Sequence, residues 1–151
     1  MVPVAQKNKK GFTLSELLIA AAIFALAMAG ILQLFISCAF LDQANRNKSI
    51  ASTHAEFTME DIMEYMRNNE LSSLQSQINS GNWNWNSATI CSKLGCGVCT
   101  YPSVLNSESI ATTRFSSSTD PLDVMITVSW KDRPNASLRS LILKTEIAKR
   151  R

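Results

Sequence analysis

Histidine is almost missing from this chain: His54 is the only one in 151 residues. Most hydrolytic triads, many proton relays and many zinc centres use imidazole, so its scarcity removes those chemistries first. No glycine loop that would cradle a phosphate is present, nor His-Glu-x-x-His, nor Gly-x-Ser-x-Gly. No spacing reveals a pair of facing carboxylates. The expectation is a protein that is not an enzyme, has no cofactor and holds no metal. Charge of one sign is scarce as well. The formal net charge is +3, from 15 basic and 12 acidic residues, but residues 1–11 contain three lysines and no acid, so the remainder is balanced. That balance gives no footprint for nucleic acid, and Lys149-Arg150-Arg151 reads as a solvated tail.

Absence also defines the first element. From Leu17 to Leu41, 25 residues contain no charge and no proline, and only Gln33 and Ser37 are clearly polar. As a helix the run would extend about 37 Å, enough to cross a hydrocarbon core of about 30 Å. Glu16 stands just before it. An ionised group at mid-bilayer costs roughly 2.5–3.5 kcal/mol on the mild insertion scales, so a carboxylate at this border invites a functional explanation. The bland alternative is a solvated group in the headgroup layer.

The string Lys9-Lys10-Gly11-Phe12-Thr13-Leu14-Ser15-Glu16, with Lys7 before it and the apolar run after it, resembles the class III leader of type IV prepilins and of the pseudopilins of secretion systems. The resemblance implies cleavage after Gly11 and N-methylation of Phe12 by an inner-membrane prepilin peptidase. It implies assembly through Glu16, the fifth residue of the mature chain, which would pair with the ammonium of Phe12 on a neighbouring subunit. Such a pair is far stronger in a low-dielectric bundle than in water and would set the vertical register between subunits. The partners implied are the peptidase, other pilins or pseudopilins contacted through the N-terminal helix, the inner membrane and its assembly platform.

Two competing readings share the apolar run. A secretory signal peptide would use Lys7–Lys10 as its basic region and Ala25-Leu26-Ala27 as its cleavage site, but apolar sequence continues from Met28 to Leu41 and would leave a sticky stub. An uncleaved signal anchor leaves Gly11 and Glu16 unexplained. The lysines before the helix place the N-terminus in the cytoplasm and the rest outside it, in the periplasm for a pilin-like chain. Three segments are therefore expected: a leader over 1–11, a membrane or filament-core helix over 12–41, and an extracytoplasmic domain over 42–151.

Beyond Leu41 neither proline nor glycine occurs before Gly81, so the helix is expected to continue out of the membrane, with a possible break at Asn68-Asn69. Met59, Ile62, Met63, Met66, Leu74 and Ile78 form its core-facing stripe, and Asn79-Ser80-Gly81 is the stop signal. The period then changes. Leu122, Val124, Ile126, Val128 and Trp130 alternate with polar residues as a half-buried strand, and Leu141, Leu143, Thr145 and Ile147 form a second across a turn at Pro134-Asn135. A weaker strand lies within 110–116. The fold class expected is α+β and pilin-like, a long helix packed on a small antiparallel sheet, with the stretch from Gly81 to Leu105 an irregular insertion.

That insertion holds Cys91, Cys96 and Cys99, placed by the topology in an oxidising compartment where one disulfide is the simplest expectation. Their spacing leaves the pairing open, and Cys38 belongs to the apolar helix. A zinc site would lack a fourth ligand, because His54 lies on the polar helix. Trp83 and Trp85 present either an exposed contact or, preferably, the packing of a loop onto the sheet. Asn135-Ala136-Ser137 matches a glycosylation acceptor but carries no weight in a tight turn.

Within the family the resemblance leans toward a minor pilin of the PilV type, from residues 60–68 and from Val128-Ser129-Trp130-Lys131-Asp132. The helix lacks the proline common in major pilins at the position of Gln33. Such a subunit would prime or modulate pilus assembly and the associated adhesion, motility or DNA uptake. The alternatives are a type II secretion pseudopilin and, in a different class, a membrane-anchored adhesive or ligand-binding module.

Overall fold

The computed structural model describes residues 11–95, 103–114, 120–133 and 135–148. Its elements in chain order are helix α1 (Leu14–Asn68), helix α2 (Leu71–Asn79), strand β1 (Trp85–Asn86), helix α3 (Ser87–Lys93) and strands β2 (Ser109–Arg114), β3 (Leu122–Lys131) and β4 (Leu138–Ile147). The chain divides into two compact units, residues up to Asp42 and residues from Gln43 onward. Helix α1 contributes to both.

In the second unit a four-stranded antiparallel sheet of order β1-β2-β3-β4 carries the later part of α1 on one face. The alternation along β3 does what a period of two requires: Leu122, Val124, Ile126, Val128 and Trp130 are all buried. Ile126 is opposite Thr112 on β2 and Leu143 on β4, and Val128 is opposite Ile110 and Leu141, so one register builds the apolar face across three strands. The covering stripe differs in part from the one expected. Ile62, Leu74 and Ile78 are buried and Met59 and Met66 are half-buried, but Met63 is 42% exposed. The stripe also begins about two turns earlier than expected, at Ala51 in place of Met59. Its upper part consists of Ala51, His54, Ala55 and Thr58, whose small or polar character hid it from a count of large apolar residues. The Thr58 hydroxyl donates to the His54 carbonyl and so enters the core satisfied.

The break after Asn68 occurs without glycine or proline. The Asn69 carboxamide donates to the Tyr65 carbonyl, occupying an orphan acceptor of the last turn, and the Tyr65 hydroxyl bonds Ser73 across the break at 2.8 Å. Gly81 ends α2 with φ of +78°, and a Cβ there would lie 2.9 Å from the Asn84 side chain. That side chain is itself fixed, since Asn84 Oδ1 accepts from the Thr112 amide. Glycine is therefore required at Gly81 by conformation and by space.

Within the expected irregular insertion the structure places β1 and α3. Trp85 pairs with Ile110 at the sheet edge, and the Asn86 side chain caps α3 by accepting from the Thr89 amide at 3.0 Å. A two-residue strand and a seven-residue helix are too short to show a period, which is why spacing did not reveal them.

Asp132, just past β3, ties the hairpin to α1. Its Oδ1 accepts from Asn47 and from the Trp130 indole, each at 3.0 Å, and Oδ2 pairs with Arg139. Burial raises this carboxyl, but the bonds from Asn47 and Trp130 and the Arg139 charge together outweigh burial and hold it below the usual carboxylate range. The unfolded chain thus binds this proton more readily than the folded one. The stabilisation is complete above a pH of about 4 and fades as the pH falls below it. Urea midpoints of the wild-type chain and of Asp132→Asn should therefore converge as the pH is lowered. A gap of constant size would contradict this account.

Candidate functional site: the N-terminal processing segment

Residues 11–13 precede the helix, and Thr13 is its N-cap. The Glu16 amide donates to Thr13 Oγ1 at 3.3 Å, while Glu16 Oε2 accepts from the Thr13 amide at 2.9 Å and from the Thr13 hydroxyl at 2.8 Å. This reciprocal arrangement is a capping box built on Thr13-Leu14-Ser15-Glu16. It satisfies two backbone donors at the end of the helix and sets a carboxylate in the first turn, where the helix dipole favours it. The Thr-x-x-Glu spacing was legible in the sequence, yet the reading of Glu16 as an assembly charge passed over this local role. Both side-chain bonds use Oε2. Among the described residues Oε1 takes none, so one oxygen still faces outward.

Gly11 needs no glycine for its own conformation. Its φ is not in the left-handed region, and a Cβ added there would meet nothing within 4 Å. Phe12 is 87% exposed.

From Leu14 to Leu41 every residue of α1 is exposed, and the helix is long and apolar enough to cross a membrane. Of the large apolar side chains left uncovered among the described residues, all but Met63, Leu138 and Ile142 lie between Phe12 and Leu41. A patch of that extent requires lipid or other helices around it. Within it the Ser37 hydroxyl donates to the Gln33 carbonyl at 2.9 Å, so that hydroxyl does not face the apolar surroundings unpaired.

The remaining residues singled out from the sequence fall elsewhere. Cys38 is a free, exposed thiol on α1. Cys91 is buried in α3 and disulfide-bonded. Cys96 and Cys99 lie outside the described residues, as do Lys7, Lys9, Lys10, Pro134 and Lys149-Arg150-Arg151. Trp83 and Trp85 are buried, at 5% and 4% exposure, which is the packing role. Trp83 donates to Asp61 at 2.9 Å and meets Tyr65 edge to face, and Trp85 packs near Phe57.

One polar constellation was not anticipated. His54 Nδ1 lies 2.7 Å from Glu108 Oε1 in the core, and Glu108 Oε2 accepts from the Leu105 amide at 2.8 Å. The Ser87 hydroxyl donates to the Glu108 carbonyl. His54 thus belongs to the buried face of α1, contrary to its placement on the polar helix. The pair is closed within the core and is a structural tie between α1 and the segment before β2.

Residues 6–32 match the family model described as the prokaryotic N-terminal methylation motif. No curated protein and no solved structure matches the chain. The match covers Gly11 and Phe12, the capping box and the exposed apolar helix as far as Leu32. It supports a type IV pilin or pseudopilin in general, and with it a structural subunit in place of an enzyme. Processing by a prepilin peptidase and assembly with other pilins are what such a leader implies, and the apolar helix fits membrane anchoring and incorporation into a pilus.

Proposed function

We propose that the chain is a minor pilin of a type IV pilus, of the PilV type, cut after Gly11, N-methylated at Phe12 and incorporated through residues 12–41, where it primes or modulates pilus assembly. Before extraction it spans the inner membrane once, with the N-terminus in the cytoplasm and residues 42–151 in the periplasm. The observation that carries this reading is the uncovered apolar helix headed by an exposed, capped carboxylate inside the matched methylation motif. In a bundle of such helices Glu16 Oε2 serves its own helix end, while Oε1 accepts from the Phe12 ammonium of a neighbour. The unbroken run of α1 from Leu14 to Asn68, with no proline at Gln33, supports the minor over the major class.

The two roles of Glu16 can be separated. Glutamine keeps the capping box, which accepts either residue at this position, but removes the charge. Glu16→Gln is expected to be processed to the same mature length, yet to appear in sheared filaments at a level reduced by roughly tenfold or more. Leaving a partner charge unpaired in a dry interface costs about 3–5 kcal/mol, and each 1.4 kcal/mol is about tenfold. Wild-type incorporation of Glu16→Gln, measured by quantitative immunoblot of purified pili, would reject the charge-pairing role.

A further inference from the structure

A groove of about 480 Å³ opens between the end of α1 and the turn that precedes β1. Among the described residues its lining is aromatic or polar, with no aliphatic side chain. Tyr65 and Trp83 stand in its wall, 5.5 Å apart between ring centroids and inclined at 81°. Both rings are fixed by their polar ends, Tyr65 through Ser73 and Trp83 through Asp61. Around them lie the carboxylates of Asp61 and Glu64 and the carboxamides of Asn68 and Asn82. The one ammonium among the described lining residues, Lys93, already lies 3.9 Å from Asp61.

This inventory selects among ligands. An aliphatic ligand would desolvate carboxylates and carboxamides without replacing their hydrogen bonds. An anion would meet two carboxylates and an ammonium already in contact with one of them. For a metal ion, no group of three ligating side chains occurs among the described residues. A polyhydroxylated ligand answers each feature. Carboxylates accept from vicinal hydroxyls, carboxamides both donate and accept, and the half-buried Tyr65 ring leaves aromatic surface for a sugar's C–H groups. The volume is in the range of small-molecule sites, and rings fixed before binding reduce the ordering cost.

We propose that this groove binds a short saccharide. The inference goes beyond filament assembly and does not depend on it, since every residue named lies in the unit from Gln43 onward. The test uses the whole mature chain in micelles of a detergent without a sugar headgroup, titrated with N,N′-diacetylchitobiose, cellobiose, maltose and lactose. Saturation-transfer NMR and tryptophan fluorescence are the readouts. At least one sugar is expected to bind. Asn68→Ala and Glu64→Gln, both at exposed positions, are each expected to weaken that binding about tenfold, the effect of one lost hydrogen bond to a polar or charged group, with the thermal midpoint unchanged. Failure of all four sugars to bind at millimolar concentrations overturns the proposal. So does binding that survives both substitutions.

Discussion

A chain carrying Gly11→Val is expected to accumulate in the membrane at its uncleaved mass, with essentially no mature product starting at Phe12. The size of the effect follows from where Gly11 sits. It lies outside the helix, its backbone does not demand glycine, and an added Cβ would touch nothing within 4 Å. Substitution there leaves α1, the capping box and the sheet as they are, so unchanged circular dichroism and an unchanged thermal midpoint should accompany the processing defect. The change is felt only by an enzyme that must fit the backbone closely at the scissile bond, where a branched side chain is the least tolerable replacement. On the proposed pairing, an uncleaved chain would lack the Phe12 ammonium that Glu16 of the next subunit accepts from. Intact-mass spectrometry of membrane-extracted protein from cells with a prepilin peptidase decides the matter. Wild-type cleavage of Gly11→Val would remove Gly11 from the processing site and, with it, the basis for the pilin reading.

The second large effect lies in the core. Glu108→Ala should destabilise the folded chain by about 3–5 kcal/mol, because it strips His54 of its side-chain partner among the described residues in a buried site and orphans the Leu105 amide as well. Replacing both members with leucine should recover much of the loss, since an apolar pair of similar volume no longer leaves a lone imidazole in the core. It should not recover all of it, as the Leu105 amide still lacks an acceptor, worth about 1–3 kcal/mol. Urea denaturation of the wild-type chain, the single variant and the double variant measures the three values. A single variant within about 0.5 kcal/mol of wild type, the range of ordinary surface substitutions, would mean that the pair contributes nothing to stability.

Sequence reasoning succeeded where the signal is local. The end of α2 was legible because Asn79-Ser80-Gly81 needs only its own backbone to act, and Gly81 adopts the left-handed conformation that the motif anticipates. The strand β3 was legible because alternation over ten residues has no other simple interpretation. The upper half of the helix stripe was not legible. Ala51, Ala55 and Thr58 carry too little apolar surface to mark a face, yet they are the residues that bury completely, or nearly so, against the sheet.

The sequence by itself determined the elements whose cause is local: a capped helix start at Thr13-x-x-Glu16, an apolar run long enough for a membrane, a period of two over β3 and β4, and an N-terminal methylation motif. Each depends on contacts within a few residues, which spacing records directly. Only the tertiary structure decided what depends on pairing across the chain. It brought His54 to Glu108 over 54 positions, turned Trp83 and Trp85 inward, gave Asp132 its three partners and opened the groove beside Asn68. No local period encodes such meetings, because they are set by sheet register and by the face of α1 that the sheet covers.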